Sequence, residues 1–331
     1  MKSAHIPFVW GLGFHIPTRR VTNADMERLV DTSDEWIVTR TGIHTRYHVE
    51  PGEACSHLAI KASQKALADA DLPAEAITHV LVATFSGDTV IPSTACLVAH
   101  GLGLSRVPAM DLAAACSGFV YGLETARAIT ALHPEAMVLV VGSEVCSSRV
   151  DFTDRSTCVL FGDGAGAAII SVQPRPGAPV VRDVLLRADG TAGDLLTVRG
   201  GGSAFPPVLG APIGKEYFVE MNGREVFKHA VRLMAEVCQE ILLRNGLDVA
   251  GIDLLIPHQA NVRIIEAVAR KLDVPMERCF VNVDRFGNTS AASVPIALAD
   301  ARSQGRTPPG STVLLASFGG GFTWGAALLQ F

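Results

Sequence analysis

The chain of 331 residues carries 28 Lys and Arg against 33 Asp and Glu, a net charge of −5, with 48% apolar and 18% charged residues. That length suits one large domain or two intimately packed halves. No long basic run points to nucleic acid, and no apolar stretch approaches the roughly 20 residues that span a bilayer.

The N-terminus, MKSAHIPFVWGLGFHIPTRR, has its apolar run broken by Gly, His and Pro, so it reads as a first strand rather than a signal peptide. A helical pattern follows over 55–72. Strand 79–85, helix 92–102, strand 107–113, a tight turn, helix 117–132 and strand 136–143 come next, ending in the Gly-rich run GDGAGAAII (162–170). The segment 171–221 holds QPRPGAP and RGGGSAFPPVLGAPIGK and is predicted to be loop and flap. After a helix over 222–246, the earlier order returns. Strand 253–258, helix 261–272, strand 278–284, a tight turn, helix 290–303 and strand 312–318 lead into GGGFTWGAALL (319–329). Alternation of this kind predicts parallel βαβ units. The repeat implies duplicated halves, 1–172 and 222–331, joined by loops over 173–221 and packed face to face. GDGAG fails the spacing of a nucleotide-binding loop and leads into a strand, so it reads as close packing.

The seven cysteines, at 55, 96, 116, 146, 158, 238 and 279, contain no CxxC pair. A disulfide framework and a zinc knuckle are both disfavoured, and most of the thiols read as small buried hydrophobes. Cys116 lies between a strand and a helix among Ala113, Ala114, Ala115, Ser117 and Gly118. A helix start there would stabilise a thiolate, and the Cys116 amide could meet a developing oxyanion. Alone, it reads equally as one more buried cysteine. In the second half, His258 ends the first strand and Asn288 opens the equivalent turn. Carboxyl ends of strands in α/β sheets are where ligands bind. Joint placement lifts these two above a stray histidine and a helix cap. Together the three residues can transfer an acyl group: the thiol attacks a thioester, and the neutral imidazole and carboxamide stabilise an enolate. No metal or other cofactor is expected. Gly320, in a triple glycine, is a second candidate oxyanion donor. Arg224, Lys228 and Arg232 share a helical face, and Arg263 lies on the next helix, giving a basic rim suited to an anionic partner.

The segments TSDEWIVTRTGI (32–43), DLAAACSGF (111–119), TDRSTCVLFGDGAGAA (153–168), PHQAN-R (257–263), RFGNTSAASVP (285–295) and FGGGFTWGAAL (318–328) resemble the β-ketoacyl-[acyl-carrier-protein] synthase III family over nearly the whole chain. The resemblance implies a thiolase fold of layered α/β/α/β/α type, a homodimer, and a cytoplasmic condensing enzyme. Such an enzyme joins an acyl-CoA primer to malonyl-acyl carrier protein and initiates fatty acid synthesis. It implies Cys116 as nucleophile, His258 and Asn288 in decarboxylation, and an oxyanion hole from Cys116 and Gly320. Thr32, Trp36, Arg40, Arg155, Phe227 and Asn261 would hold coenzyme A. Lys228, Gln259 and Arg263 would dock the carrier protein, and Ile91 would line the acyl pocket, leaving room for longer or branched primers. Arg224 and a long flap at 199–214 depart from the family pattern. A specialised secondary-metabolism homologue and a non-catalytic binding homologue are the alternatives.

Overall fold

The computed structural model describes residues 6–331, so residues 1–5 of the expected first-strand region lie outside it. Nine strands form the main sheet system: β1 (Phe8–His15), β2 (His79–Ala83), β3 (Ala109–Leu112), β4 (Val138–Glu144), β5 (Gly164–Ser171), β6 (Val180–Ala188), β7 (Leu254–Pro257), β8 (Thr312–Gly319) and β9 (Thr323–Gln330). The principal helices are α1 (Asp34–Thr41), α2 (Cys55–Ala70), α3 (Thr94–Gly101), α4 (Gly118–Leu132), α5 (Gly223–Arg244), α6 (Val262–Leu272) and α7 (Ser293–Ser303).

The strand order is β7-β8-β9-β6-β1-β5-β4-β2-β3. It resolves into two sheets stitched at one point, where Phe8 pairs with Val180. In the first, β3, β2 and β4 are parallel, and β5 and β1 follow antiparallel. In the second, β7 and β8 are parallel, and β9 and β6 follow antiparallel. The chain therefore repeats β1-α2-β2-α3-β3-α4-β4-β5 as β6-α5-β7-α6-α7-β8-β9.

Two expectations need correction. The segment 173–221 is not loop throughout, because β6 is a nine-residue strand and opens the second half. Its charged residues Arg182, Asp183 and Arg187 hid the strand pattern. Asp183 is buried, and Arg244 and Asn245 each donate to it at 2.8 Å. Residues 278–284 do not form a full strand. Only Cys279 pairs, with Leu255, before a short helix over Val283–Phe286.

The strand runs are apolar on both faces because both faces are covered. Val80, Val82, Leu139, Val141, Ala167 and Ile169 pack outward with α2 and α3, whereas Leu81, Val138, Val140, Ala168 and Ile170 point inward. In the second sheet Leu254, Ile256, Val313 and Leu315 share that inner core, while Leu255, Leu314 and Ala316 pack outward with α5 and α6. Helices α4 and α7 lie between the sheets. The result is five layers, with helices outside, in the middle and outside again.

The middle layer leaves little room where its helices begin. A Cβ on Gly142 of β4 would lie 2.3 Å from the Ala291 carbonyl oxygen, a fixed backbone atom. Gly142→Ala is therefore expected to lose about 1–3 kcal/mol of stability. Gly202→Ala, in an exposed segment with ordinary spacing, should stay within about 0.5 kcal/mol. Urea unfolding of the two variants beside the unaltered protein checks this. Equal midpoints for all three would show that the turn yields freely.

Candidate active site

After β3 the chain enters a left-handed residue, Ala115 (φ 44°), then one 3-10 turn over Ala115–Ser117 and helix α4. In the second half, Ser290 (φ 49°) opens the matching turn Ser290–Ala292 before α7. Left-handed backbone costs a non-glycine residue about 1–2 kcal/mol, and such strain gathers at functional positions. The match pairs Cys116 with Ala291, so Asn288 lies just before the equivalent turn rather than opening it.

Cys116 is 8% exposed. Its thiol donates to Ser290 Oγ at 3.4 Å, and that hydroxyl donates to Glu144 Oε1 at 3.0 Å. Burial pushes the thiol up to about 12, opposed by the Ser290 hydrogen bond and reinforced by the Glu144 charge. Burial therefore favours the neutral thiol at rest. Gly319 crosses directly over this residue. A Cβ there would sit 2.6 Å from the Cys116 nitrogen, so only glycine lets the end of β8 approach.

His258 follows β7, and its amide donates to Ala316 O at 2.7 Å. Ring Nδ1 lies 2.5 Å from Ser293 Oγ, which also accepts from the Gln259 amide at 3.4 Å. The hydroxyl proton is thus directed at Nδ1, and we assign the ring hydrogen to Nε2. Burial lowers the imidazole to about 4, so the ring is neutral at neutral pH. Asn288 is held by its backbone, donating to Leu160 O at 2.8 Å and accepting from Gly162 N at 3.0 Å. Its Oδ1 accepts from Ser290 N at 2.9 Å, which fixes the carboxamide so that Nδ2 remains the free donor.

Cys116, His258, Asn288 and Gly320 line one cavity of about 1160 Å³, together with Trp36, Arg40, Phe227, Lys228, Asn261 and Arg263. Two guanidinium groups lie over the Trp36 ring, with Arg40 Cζ 4.9 Å and Arg155 Cζ 5.0 Å from its centre. Asn261 caps α6 by accepting from Arg263 N at 2.8 Å, and donates to Arg40 O at 3.0 Å. Arg155 reaches Trp36 but not the lining, and donates to Asp31 O at 2.9 Å. Thr32 also lies outside the lining, with its hydroxyl buried and unpartnered. The basic rim is partly neutralised: Lys228 pairs with Glu225 and Arg232 with Glu236. Arg224 lines the cavity as well.

Two expected positions stand elsewhere. Gln259 is 1% exposed and fully engaged. It donates to Pro257 O and Phe280 O, and accepts from the amides of Asn282 and Val283. It braces the scaffold and offers no docking surface. Ile91 is 87% exposed and outside the lining of its own chain's cavity. The sequence reading missed Glu144, Ser290 and Ser293. Glu144, a lone acid ending the buried strand Val138–Glu144, was the available signal. Among the described residues no group of three His, Cys, Asp or Glu side chains is arranged to hold a metal, and no helix is long and apolar enough to cross a membrane.

Two duplicated halves in five layers, with a cavity reaching a helix-start cysteine, define a condensing enzyme of the thiolase fold. Family models described as the 3-oxoacyl-[acyl-carrier-protein] synthase III and its C-terminal region match residues 110–190 and 242–331. A beta-ketoacyl-[acyl-carrier-protein] synthase III of Oleidesulfovibrio alaskensis is 58% identical over 324 residues, 98% of each chain. The crystal structure of 3-oxoacyl-[acyl-carrier-protein] synthase III from Aquifex aeolicus superposes with a TM-score of 0.90 at 43% identity, covering 98% of this chain and 100% of that one. The corresponding synthase III from Thermus thermophilus gives 0.90 at 44%, covering 98% and 99%. The chain belongs to the β-ketoacyl-[acyl-carrier-protein] synthase III family, a family of acyltransferases.

His258 gives a pH prediction. Its folded value, lowered from 6.5 to about 4, means that the folded state binds fewer protons than the unfolded state in that window. Its contribution is full above 6.5 and is lost as pH falls through 4, a change of about 3 kcal/mol. Urea unfolding from pH 7 to 4 should show His258→Asn losing about 3 kcal/mol less than the unaltered protein. Parallel losses would show that the ring takes up a proton in place.

Proposed function

We propose that Cys116, His258 and Asn288 carry the initiating condensation of fatty acid synthesis: an acyl-CoA and malonyl-acyl carrier protein give 3-oxoacyl-acyl carrier protein, carbon dioxide and coenzyme A. The observation that carries this reading is the single cavity that joins an Arg-flanked indole to the thiol, with two neutral donors beside it. Trp36 and Arg40 are suited to stack on a base and pair with phosphate. Phe227 and Asn261 flank the path inward, and Arg155 and Thr32 support its outer end.

In the first half-reaction the Cys116 sulfur attacks the primer carbonyl, and the Cys116 and Gly320 amides meet the oxyanion. Coenzyme A leaves, and the malonyl arm enters past Lys228 and Arg263. His258 Nε2 and Asn288 Nδ2 then donate to the malonyl thioester oxygen as carbon dioxide departs. The resulting enolate carbon attacks the acyl-Cys116 carbonyl and releases the sulfur. Each developing charge meets a hydrogen-bond donor already in place, so the proposal takes no resident metal or cofactor.

We place the enzyme in the cytoplasm, where its substrates are made, and as a homodimer. Val90 and Ile91, 91% and 87% exposed, form an apolar tip suited to a second copy. Ile91 can serve an acyl pocket only if it closes a neighbouring protomer's cavity.

Incubation with an acyl-CoA should place one acyl mass on the Cys116 peptide, absent in Cys116→Ala. His258→Ala should still acylate but lose condensation with malonyl-acyl carrier protein by about 10²–10³-fold. Condensation by preloaded His258→Ala at the normal rate would refute that role. Arg263→Glu should raise KM for malonyl-acyl carrier protein roughly tenfold, with little change in self-acylation, because a rim charge acts mainly on encounter. An unchanged KM would remove Arg263 from the docking surface.

A further inference from the structure

Among the described residues, Glu144 is the one carboxylate joined to the Cys116 thiol through a single hydroxyl, and the condensation described above gives it no part. It is wholly buried at the end of β4. The Thr84 hydroxyl donates to it at 3.0 Å, the Phe85 and Ser86 amides at 3.2 Å each, and the Ser86 hydroxyl donates as well. From the other half, Ser290 Oγ donates to Oε1 at 3.0 Å and the Ala291 amide at 3.4 Å. The titratable groups that feel its charge are the thiols of Cys55, Cys116 and Cys146. The largest influences on its own ionisation are burial and the hydrogen bonds from Ser86, Ser290, Thr84 and the Phe85 amide.

The hydrogen bonds run one way. Cys116 donates to Ser290, and Ser290 donates to Glu144. His258 is not placed to compete for this proton, since its Nδ1 is occupied by Ser293 and burial keeps the ring from charging. A buried thiol that must become a nucleophile needs a nearby acceptor.

We propose that Ser290 and Glu144 form a proton relay and store for Cys116, filled in the first half-reaction and emptied in the second. This rests on the reading of Cys116 as the acyl acceptor. As sulfur bonds to the primer carbonyl carbon, the thiol proton moves to Ser290 Oγ while the Ser290 proton moves to Glu144. The carbon–sulfur bond to coenzyme A breaks, and its thiolate takes a proton from solvent. When the enolate carbon displaces Cys116, the thiolate recovers its proton from Ser290, which takes one back from Glu144. The full cycle consumes one solvent proton, as replacing malonyl carboxylate by carbon dioxide requires.

Burial raises Glu144 to about 7 against the pull of Ser86, Ser290 and Thr84, so both states are accessible near neutrality. Only the ionised carboxylate can accept. Single-turnover acylation from acetyl-CoA, followed by mass on the Cys116 peptide, should accelerate as pH rises through about 7. Glu144→Gln should be at least tenfold slower at pH 8, with that inflection gone. Ser290→Ala should behave alike, and its backbone is tolerable because Ala115 holds the same left-handed conformation at the equivalent turn. If Glu144 merely pins the 84–86 loop to the 290–291 turn, the variants lose rate while the inflection stays, and that result overturns the relay. Should Glu144→Gln fail to fold, Ser290→Ala decides alone: a retained inflection rejects the proposal. Absence of acyl mass on Cys116 in the unaltered protein would instead sink the reading of Cys116.

Discussion

Helices α4 and α7 start against each other between two sheets that are apolar on both faces, and their starts allow no added volume. Gly142 lies against Ala291, a Cβ on Gly118 would lie 2.7 Å from the Ala83 Cβ, and Gly319 lies over the Cys116 nitrogen. These contacts bring strand ends from both halves to one point. The sulfur, imidazole and carboxamide line one cavity beside this contact, where the middle layer admits only small residues. Loosening this contact would widen the site and weaken the protein together, since the inner core of both sheets closes around the same two helices.

Burial then sets the chemical state of the groups so assembled. A thiol, an imidazole and a carboxylate withdrawn from water all favour their neutral forms, and each is shifted in that direction. On the proposed chemistry, neutrality is useful at His258 and Asn288, because both are needed as donors. For Cys116 it is an obstacle, and the path through Ser290 to Glu144 is the structure's available answer. On the proposed chemistry, the same desolvation prepares the decarboxylating donors and impedes the nucleophile.

The order of elements was legible because the sheets are buried on both sides: runs such as 79–85, 136–143 and 312–318 are mostly apolar rather than alternating. β6 was not legible, since Arg182, Asp183 and Arg187 interrupt its pattern while Asp183 finds buried partners far away in sequence, on Arg244 and Asn245. The strand expected at 278–284 shrank to one pairing at the sheet edge. Cys116, His258 and Asn288 could be nominated because a repeat fixes equivalent turns. Ser290, Ser293 and Glu144 could not, because their meaning lies in hydrogen bonds across 35 to 174 positions of chain. Gln259 misled for the opposite reason: it sits within a recognisable motif, yet its side chain is consumed in holding that motif in place.

The paired left-handed turns at Ala115 and Ser290 give the two halves one common frame. Two equivalent seats follow these turns, one holding sulfur and the other, Ala291, a bare methyl with 0% exposure. The repeat thus supplies two similar frames but only one thiol, which leaves the second frame to hold Ser290 and Asn288 at the same cavity.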